Sequence, residues 1–230
     1  MIDKEINPLI VGGMNMKKNI LLLFFLIIAT DVSQAQLATD SWAFGFGLTY
    51  PRFVSVNIQP LNSNYGGFLS LKRNFSEHVG LRLNASYSHL EGEYLDVTLT
   101  QVKSFTNVIA GNLDLLYYLF PCKPISPYLF ASAGSGLRML KNNATASLGT
   151  NEIVLAFSLG GGVEWAIDSD WKILAEYGYH ITTNSELDGA IGAGEINGRD
   201  TYFSINLGLL YYFKKGEPSK DCQLYSGKSQ

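Results

Sequence analysis

From residue 41 onward, apolar and polar positions alternate with a period of two, the spacing of a strand and not of a helix. The pattern is sharpest in Thr201 to Phe213. There Phe203, Ile205, Leu207, Leu209, Tyr211 and Phe213 form one face, and Ser204, Asn206 and Gly208 stand on the other with Tyr202, Leu210 and Tyr212. Seven earlier stretches repeat it. Trp42, Phe44, Phe46, Leu48 and Tyr50 alternate with Ala43, Gly45, Gly47 and Thr49; Gly67, Leu69 and Leu71 alternate with Phe68, Ser70 and Lys72. Val79 to Tyr87 and Ile109 to Leu119 follow, the second opposing its apolar face with Ala110, Asn112, Asp114, Leu116 and Tyr118. Tyr128 to Met139, Glu152 to Trp165 and Trp171 to Ile181 complete the set. The pattern predicts eight strands.

The links between these strands run long, short, long, short, long, short, long. The long ones are Pro51 to Asn64, Leu90 to Ser104, Lys141 to Asn151 and Thr182 to Asp200. The short ones are Asn74 to His78, the proline-marked link of Pro121, Pro124 and Pro127, and Asp168-Ser169-Asp170. A barrel in an outer membrane sorts its links this way, with short turns on the periplasmic rim and long loops outside. A soluble sandwich has no reason to. Hydrocarbon cannot satisfy open backbone groups, so a sheet in lipid must close on itself. We therefore expect an all-β fold: an eight-stranded antiparallel up-and-down transmembrane β-barrel.

Two other architectures compete. A soluble lipocalin-type barrel would hold its larger apolar face inside and its charges outside. Here Lys72, Arg82, Asp114, Arg138, Glu152, Glu164, Lys172 and Glu176 nearly all fall on the face with the glycines and serines. Phe53 to Ile58 and Tyr94 to Leu99 also alternate, and read either as hairpin walls rising above the membrane or as the extra strands of a ten-stranded barrel.

Composition narrows the class further. Charged residues are 16% of the 230, below the ~25% of soluble domains, while glycine (23) and aromatics (13%) are plentiful. A mean hydropathy of +0.08 and the lack of a long apolar run after residue 35 exclude a helical membrane protein. The net charge of -3 leaves no basic footprint for nucleic acid.

The one apolar run, Ile20 to Ala29, follows Lys17 and Lys18 and precedes Ser33-Gln34-Ala35. That order predicts a secretory signal peptide cut after Ala35, with the start of translation at Met16 or Met14. No cysteine marks a lipoprotein cleavage site. The expected organisation is a removed extension and signal peptide over 1–35, the barrel over 36–215, and a short periplasmic tail over 216–230.

With the strands placed, three segments carry a resemblance: Asn112-Leu113-Asp114-Leu115-Leu116-Tyr117-Tyr118; Pro127-Tyr128-Leu129 running into Ala133-Gly134-Ser135-Gly136; and Gly208-Leu209-Leu210-Tyr211-Tyr212-Phe213. Over about residues 36 to 215 the chain resembles the outer-membrane β-barrel family, in some usage a porin family, typified by the OmpA N-terminal domain and OmpX. The resemblance implies an outer-membrane location and recognition of Phe203 to Phe213 by the barrel-assembly machinery. It departs from the family where the chain runs on to Gln230. Seventeen residues cannot form the peptidoglycan-binding domain that OmpA carries there.

The candidate chemistry is sparse. Eight strands leave a lumen just wide enough for side chains to fill, so the eight strand charges read as a plug of neutralised pairs or as the lining of a narrow gated path for ions or small solutes. Trp42, Tyr50, Tyr87, Tyr117, Trp165, Trp171, Tyr179, Tyr211 and Phe213 lie near strand ends and read as headgroup-level belts, with a carbohydrate-stacking platform as the alternative. Outer-membrane lipid-modifying enzymes use serine, histidine and an acid. His78, His89 beside Ser88, and His180 show no spacing that demands catalysis, so we expect no enzyme, metal or cofactor. Cys122 and Cys222 fall on one rim and permit a disulfide or two separate thiols. The expected contacts are outer-membrane lipid and an unidentified partner at the outer loops, made by a monomer.

Overall fold

The computed structural model describes residues 38–55, 59–95, 101–142, 152–183 and 200–217. The proposed signal peptide over 1–35, the four loop tips, Cys222 and the rest of the tail lie outside the described residues.

Among the described residues nine strands are formed: β1 (Trp42–Ser55), β2 (Gln59–Pro60), β3 (Tyr65–Asn74), β4 (Val79–Leu95), β5 (Gln101–Tyr118), β6 (Ile125–Asn142), β7 (Glu152–Ala166), β8 (Trp171–Thr182) and β9 (Thr201–Lys214). Eight of them close antiparallel, each on its chain neighbour, with β9 pairing back onto β1; β2 only edges β4 through Gln59↔Glu93 and Pro60↔Gly92. The ten-stranded alternative is thus excluded. Phe53–Ser55 extends β1, and Tyr94 and Leu95 extend β4, as walls above the membrane.

A ring of directly paired residues measures the stagger. From Ala43 it passes through Lys72, Arg82, Asp114, Ser132, Ser158, His180 and Tyr202 and returns to β1 at Phe53, ten residues beyond its start. Such a shear inclines the strands to the barrel axis. Strand length then sets height. β3 and β8, of 10 and 12 residues, are about a membrane span, whereas β4, β5 and β6, of 17, 18 and 18 residues, rise well above it.

The predicted loops therefore begin later than polarity suggests. Pro51 and residues 90–95 belong to strands, and β6 starts at Ile125, so Pro127 is a strand residue. Proline is admitted in both places for a physical reason. Above Thr49, β1 pairs with β9 alone, and Pro127 lies just past the last β5–β6 pair, where its carbonyl accepts from Leu119.

Sidedness follows the alternation. Leu48, Leu69, Leu83, Leu115, Ile153, Leu159 and Leu207 are exposed on the outer wall, while Lys72, Arg82, Asp114 and Glu164 are buried within it. The segments flanking β1 and β9 meet beneath the seam. Thr39 and Glu217 form an antiparallel bridge, and Asp40 binds Lys214 Nζ and Arg73 Nη2 at 2.7 and 2.8 Å. Those two cations hold the Asp40 carboxyl below its usual range.

Candidate functional site

The lumen is where the sequence concentrates its charge, and the structure sorts that charge into two layers. In the layer nearer the short turns, Glu164 of β7 accepts from Lys72 of β3, Tyr118 of β5 and Tyr212 of β9. Lys72 Nζ also donates to Tyr118 and Tyr212 at 2.9 and 2.6 Å, and Lys172 Nζ stands 3.8 Å from Glu164. The next layer is built on Arg82, which holds Asp114 at 2.7 Å and Glu176 at 2.8 Å. Glu176 also accepts from the Tyr128 hydroxyl at 2.7 Å and from Asn206 Nδ2 at 3.0 Å.

The layers are not the separate pairs expected from the sequence. The first combines two lysines with one carboxylate, the second one arginine with two carboxylates. Only together are they neutral. Lys72 and Arg82 are directly opposite on β3 and β4, a repulsive placement that is relieved because their side chains serve different layers. Arg138 and Glu152 meet at 2.7 Å at the outer rim, where the Glu152 side chain is 41% exposed and so does not belong to the buried plug.

Above the charges the filling is aromatic, and glycines make room for it. Phe68 of β3 lies across Gly47 and Gly208, and Phe130 of β6 across Gly160 of β7 toward Gly178 of β8, each along a directly paired row. Tyr128 crosses Gly162 to reach Glu176 in the same manner. Small residues on the inner face are thus sockets for rings from the next strand. Arg82 lies 5.6 Å from the Phe130 ring centroid, joining the charged and aromatic levels. Toward the outer rim Phe53, Leu90, Val108, Ala110 and Tyr202, from β1, β4, β5 and β9, cap that side of the lumen with a buried apolar cluster.

The histidines separate. His180 is held in the lumen between Ser158 (2.7 Å) and Ser204 (2.8 Å) and stacks on Tyr202 at 4.4 Å. Both ring nitrogens are taken by hydroxyls, which leaves no position for an orienting carboxylate. Ser88 faces the lumen and His89 the outer wall, so alternation parts these chain neighbours. His78 sits in a short turn with Nδ1 2.7 Å from the Tyr118 carbonyl.

The proposed belt residues share the outward phase. Trp42, Tyr117, Trp165, Trp171, Tyr211 and Phe213 ring the short-turn side; Tyr50, Tyr87 and Tyr179 ring the other. Cys122, in the β5–β6 turn, is disulfide-bonded; Cys222 is outside the described residues. The functional parts that sequence reasoning missed are the buried phenols Tyr118, Tyr128 and Tyr212, the amide of Asn206 and the Ser158–His180–Ser204 bridge. Their signal was present: tyrosines in the inward phase, which a purely structural core would fill with leucine.

A closed wall with an apolar exterior, outward aromatics toward both rims and an ionic interior defines a transmembrane β-barrel. The chain belongs to the family described as "Outer membrane protein beta-barrel domain", whose model matches residues 20–213. It is accordingly an outer-membrane protein. Among solved structures it is similar to the outer membrane protein OprG from Pseudomonas aeruginosa, with a TM-score of 0.55 at 11% identity over 78% of this chain and 98% of that one. It is also similar to Neisserial surface protein A (TM-score 0.49, 13% identity, 75% and 97% covered) and to Ail, the attachment invasion locus protein of Yersinia pestis (0.49, 13%, 76% and 99%). At 11% identity, the likeness to OprG concerns the fold alone. No curated protein matches the chain in sequence.

Proposed function

We propose that this protein is a sealed barrel that acts at its surface, through lipid contact and the long outer loops, and not as a conduit. The observation that supports this reading is the interlocked lumen: Lys72, Arg82, Asp114, Glu164, Lys172 and Glu176 are each at most 6% exposed, below an apolar cap that includes Phe53 and Leu90. An ion entering would have to break several charge-assisted bonds at once, in a space already occupied by rings. The protein works as a monomer inserted by the barrel-assembly machinery through its last strand, and its loop partner is a surface molecule outside the cell.

Planar-bilayer recording tests this. The wild type is expected to show negligible steady conductance, and Glu164→Ala and Arg82→Ala to leave it negligible because the apolar cap is untouched. A stable wild-type conductance whose size or ion selectivity changes in either variant would replace the sealed barrel with a narrow channel.

A further inference from the structure

The outer wall is not uniformly convex. On the β9–β1–β3–β4 side lies an open apolar groove of about 840 Å³, bounded by Phe46, Leu48, Leu69, Ile109, Leu207 and Leu209. Its floor is low because Gly67 and Ala85 face outward where neighbouring positions carry leucine or phenylalanine. It runs along the middle of the wall, from Leu209, two residues from Tyr211 on the short-turn side, to Tyr87 at its long-loop end.

Two residues above Tyr87 the same outward face becomes polar and flat. Tyr65, His89 and Asn107 are directly opposite on β3, β4 and β5. The rings of Tyr65 and His89 stack at 4.7 Å, and Phe105 flanks His89 on the other side at 6.2 Å. His89 Nδ1 lies 2.6 Å from Asn107 Oδ1 and Nε2 lies 3.0 Å from Glu91 Oε1; the Tyr87 hydroxyl donates to Asn107 Oδ1 at 3.0 Å. Tyr65 is 58% exposed, so the pavement is open to a ligand. A histidine, a carboxylate and an amide fixed against one another on an outward face are more than belt anchoring requires.

We infer that groove and pavement form one binding site for a single outer-leaflet glycolipid, its acyl chain in the groove and a neutral or amine-bearing sugar on the Tyr65–His89 rings. The sugar's apolar ring face meets the aromatic faces, and its hydroxyls or amine meet Glu91 and Asn107. Charge decides against a phosphate head. Carboxylates line the pavement: Glu91 Oε1 stands 3.0 Å from His89 Nε2, and Glu93 is the ladder partner of Lys103 in the row beyond. A phosphate would bring its charge beside those two carboxylates. Continuity decides against an unrelated protein partner, because the groove opens onto lipid along its whole length and only its upper end is polar.

The test uses the purified full chain in vesicles with equal parts of a monoglycosyl diacylglycerol and a phosphatidylethanolamine of the same acyl chains, released into a mass spectrometer under native conditions. One retained glycolipid per chain is expected, favoured about tenfold over the phospholipid, which corresponds to one stacking contact and one or two hydrogen bonds. Tyr65→Ala and His89→Ala should each abolish that preference, and Ala85→Phe, which fills the groove, should lower retention of both lipids. All three substitutions face outward, and heat-modifiable gel mobility reports whether the barrel remains folded. Equal retention of the two lipids by the wild type overturns the proposal without needing a variant. So does a preference that survives Tyr65→Ala and His89→Ala, or a lipid-free dimer whose subunits cover the groove. None of these outcomes bears on whether the lumen conducts.

Discussion

Glu164→Leu is expected to cost about 3–5 kcal/mol of folding free energy, measured as a lowered urea midpoint for the barrel in lipid vesicles. Among the described residues Glu164 is the sole carboxylate of its layer, bound by Lys72 and approached by Lys172, both all but inaccessible to water. Its removal leaves two ammonium groups facing each other, and only the Tyr118 and Tyr212 hydroxyls remain for Lys72. The attraction that held them is gone, and the cost of keeping them from water stays. Lys172→Met is expected to cost less than about 1 kcal/mol, since it removes a single contact at 3.8 Å. The combination Lys72→Met, Glu164→Leu and Lys172→Met should recover most of the loss, because replacing a whole buried ionic group with apolar residues of similar volume is often neutral or better.

The recovery has a limit that the layer arrangement sets. The first layer is one positive charge in excess and the second one negative, so the triple variant leaves Arg82 with Asp114 and Glu176 uncompensated from below. We expect the residual deficit to disappear when Glu176→Gln is added. A Glu164→Leu variant within about 0.5 kcal/mol of wild type would mean that water reaches the lysines, and the sealed lumen would have to be abandoned.

Much of this architecture was legible in the alternation itself. Because the side-chain period in a strand is two, the assignment of Arg82, Asp114, Glu164 and Glu176 to one face and the leucines to the other needs no knowledge of the neighbouring strands. Closure followed from the medium and not from any residue. Which inward residues meet was not legible, because it depends on the stagger. Lys72 lies opposite Arg82 in the ladder but bonds to Glu164, 92 residues away in the chain, and only a shear of ten residues around the wall brings the two together. Strand ends were misjudged for a related reason. Polarity marks where the membrane ends, but backbone pairing continues above it, so Leu90 to Glu93 looked like loop and are β4. Glu152 had the right phase and the wrong depth: it sits where β7 begins, at the rim.

The lumen glycines carry the second large expectation, and it turns on the same distinction between faces. Gly160→Val should destabilise by about 3 kcal/mol, at the upper end of the range for overpacking, even though valine is the better strand former. A Cβ at Gly160 would stand against the Tyr177 carbonyl and the Phe130 ring, well inside contact distance. The carbonyl cannot retreat without breaking the β7–β8 ladder, so Phe130→Ala in the same chain should restore only part of the loss. At Gly178 the nearest atoms are His180 Nε2, Phe130 Cζ and Ser204 Oγ, at 3.2 to 3.3 Å, and alanine there should cost less than half as much. Gly111→Val should reverse the sign. A Cβ there meets nothing within 4 Å, because Gly111 faces the lipid beside Ala85 and Ser135, and the added side chain should raise stability by up to about 1 kcal/mol. Opposite signs for one substitution at two strand glycines, read as urea midpoints, would show that inward glycines are kept for the rings that lie on them. Equal losses at Gly160 and Gly111 would make backbone conformation the reason instead, and the socket account of the lumen would fail.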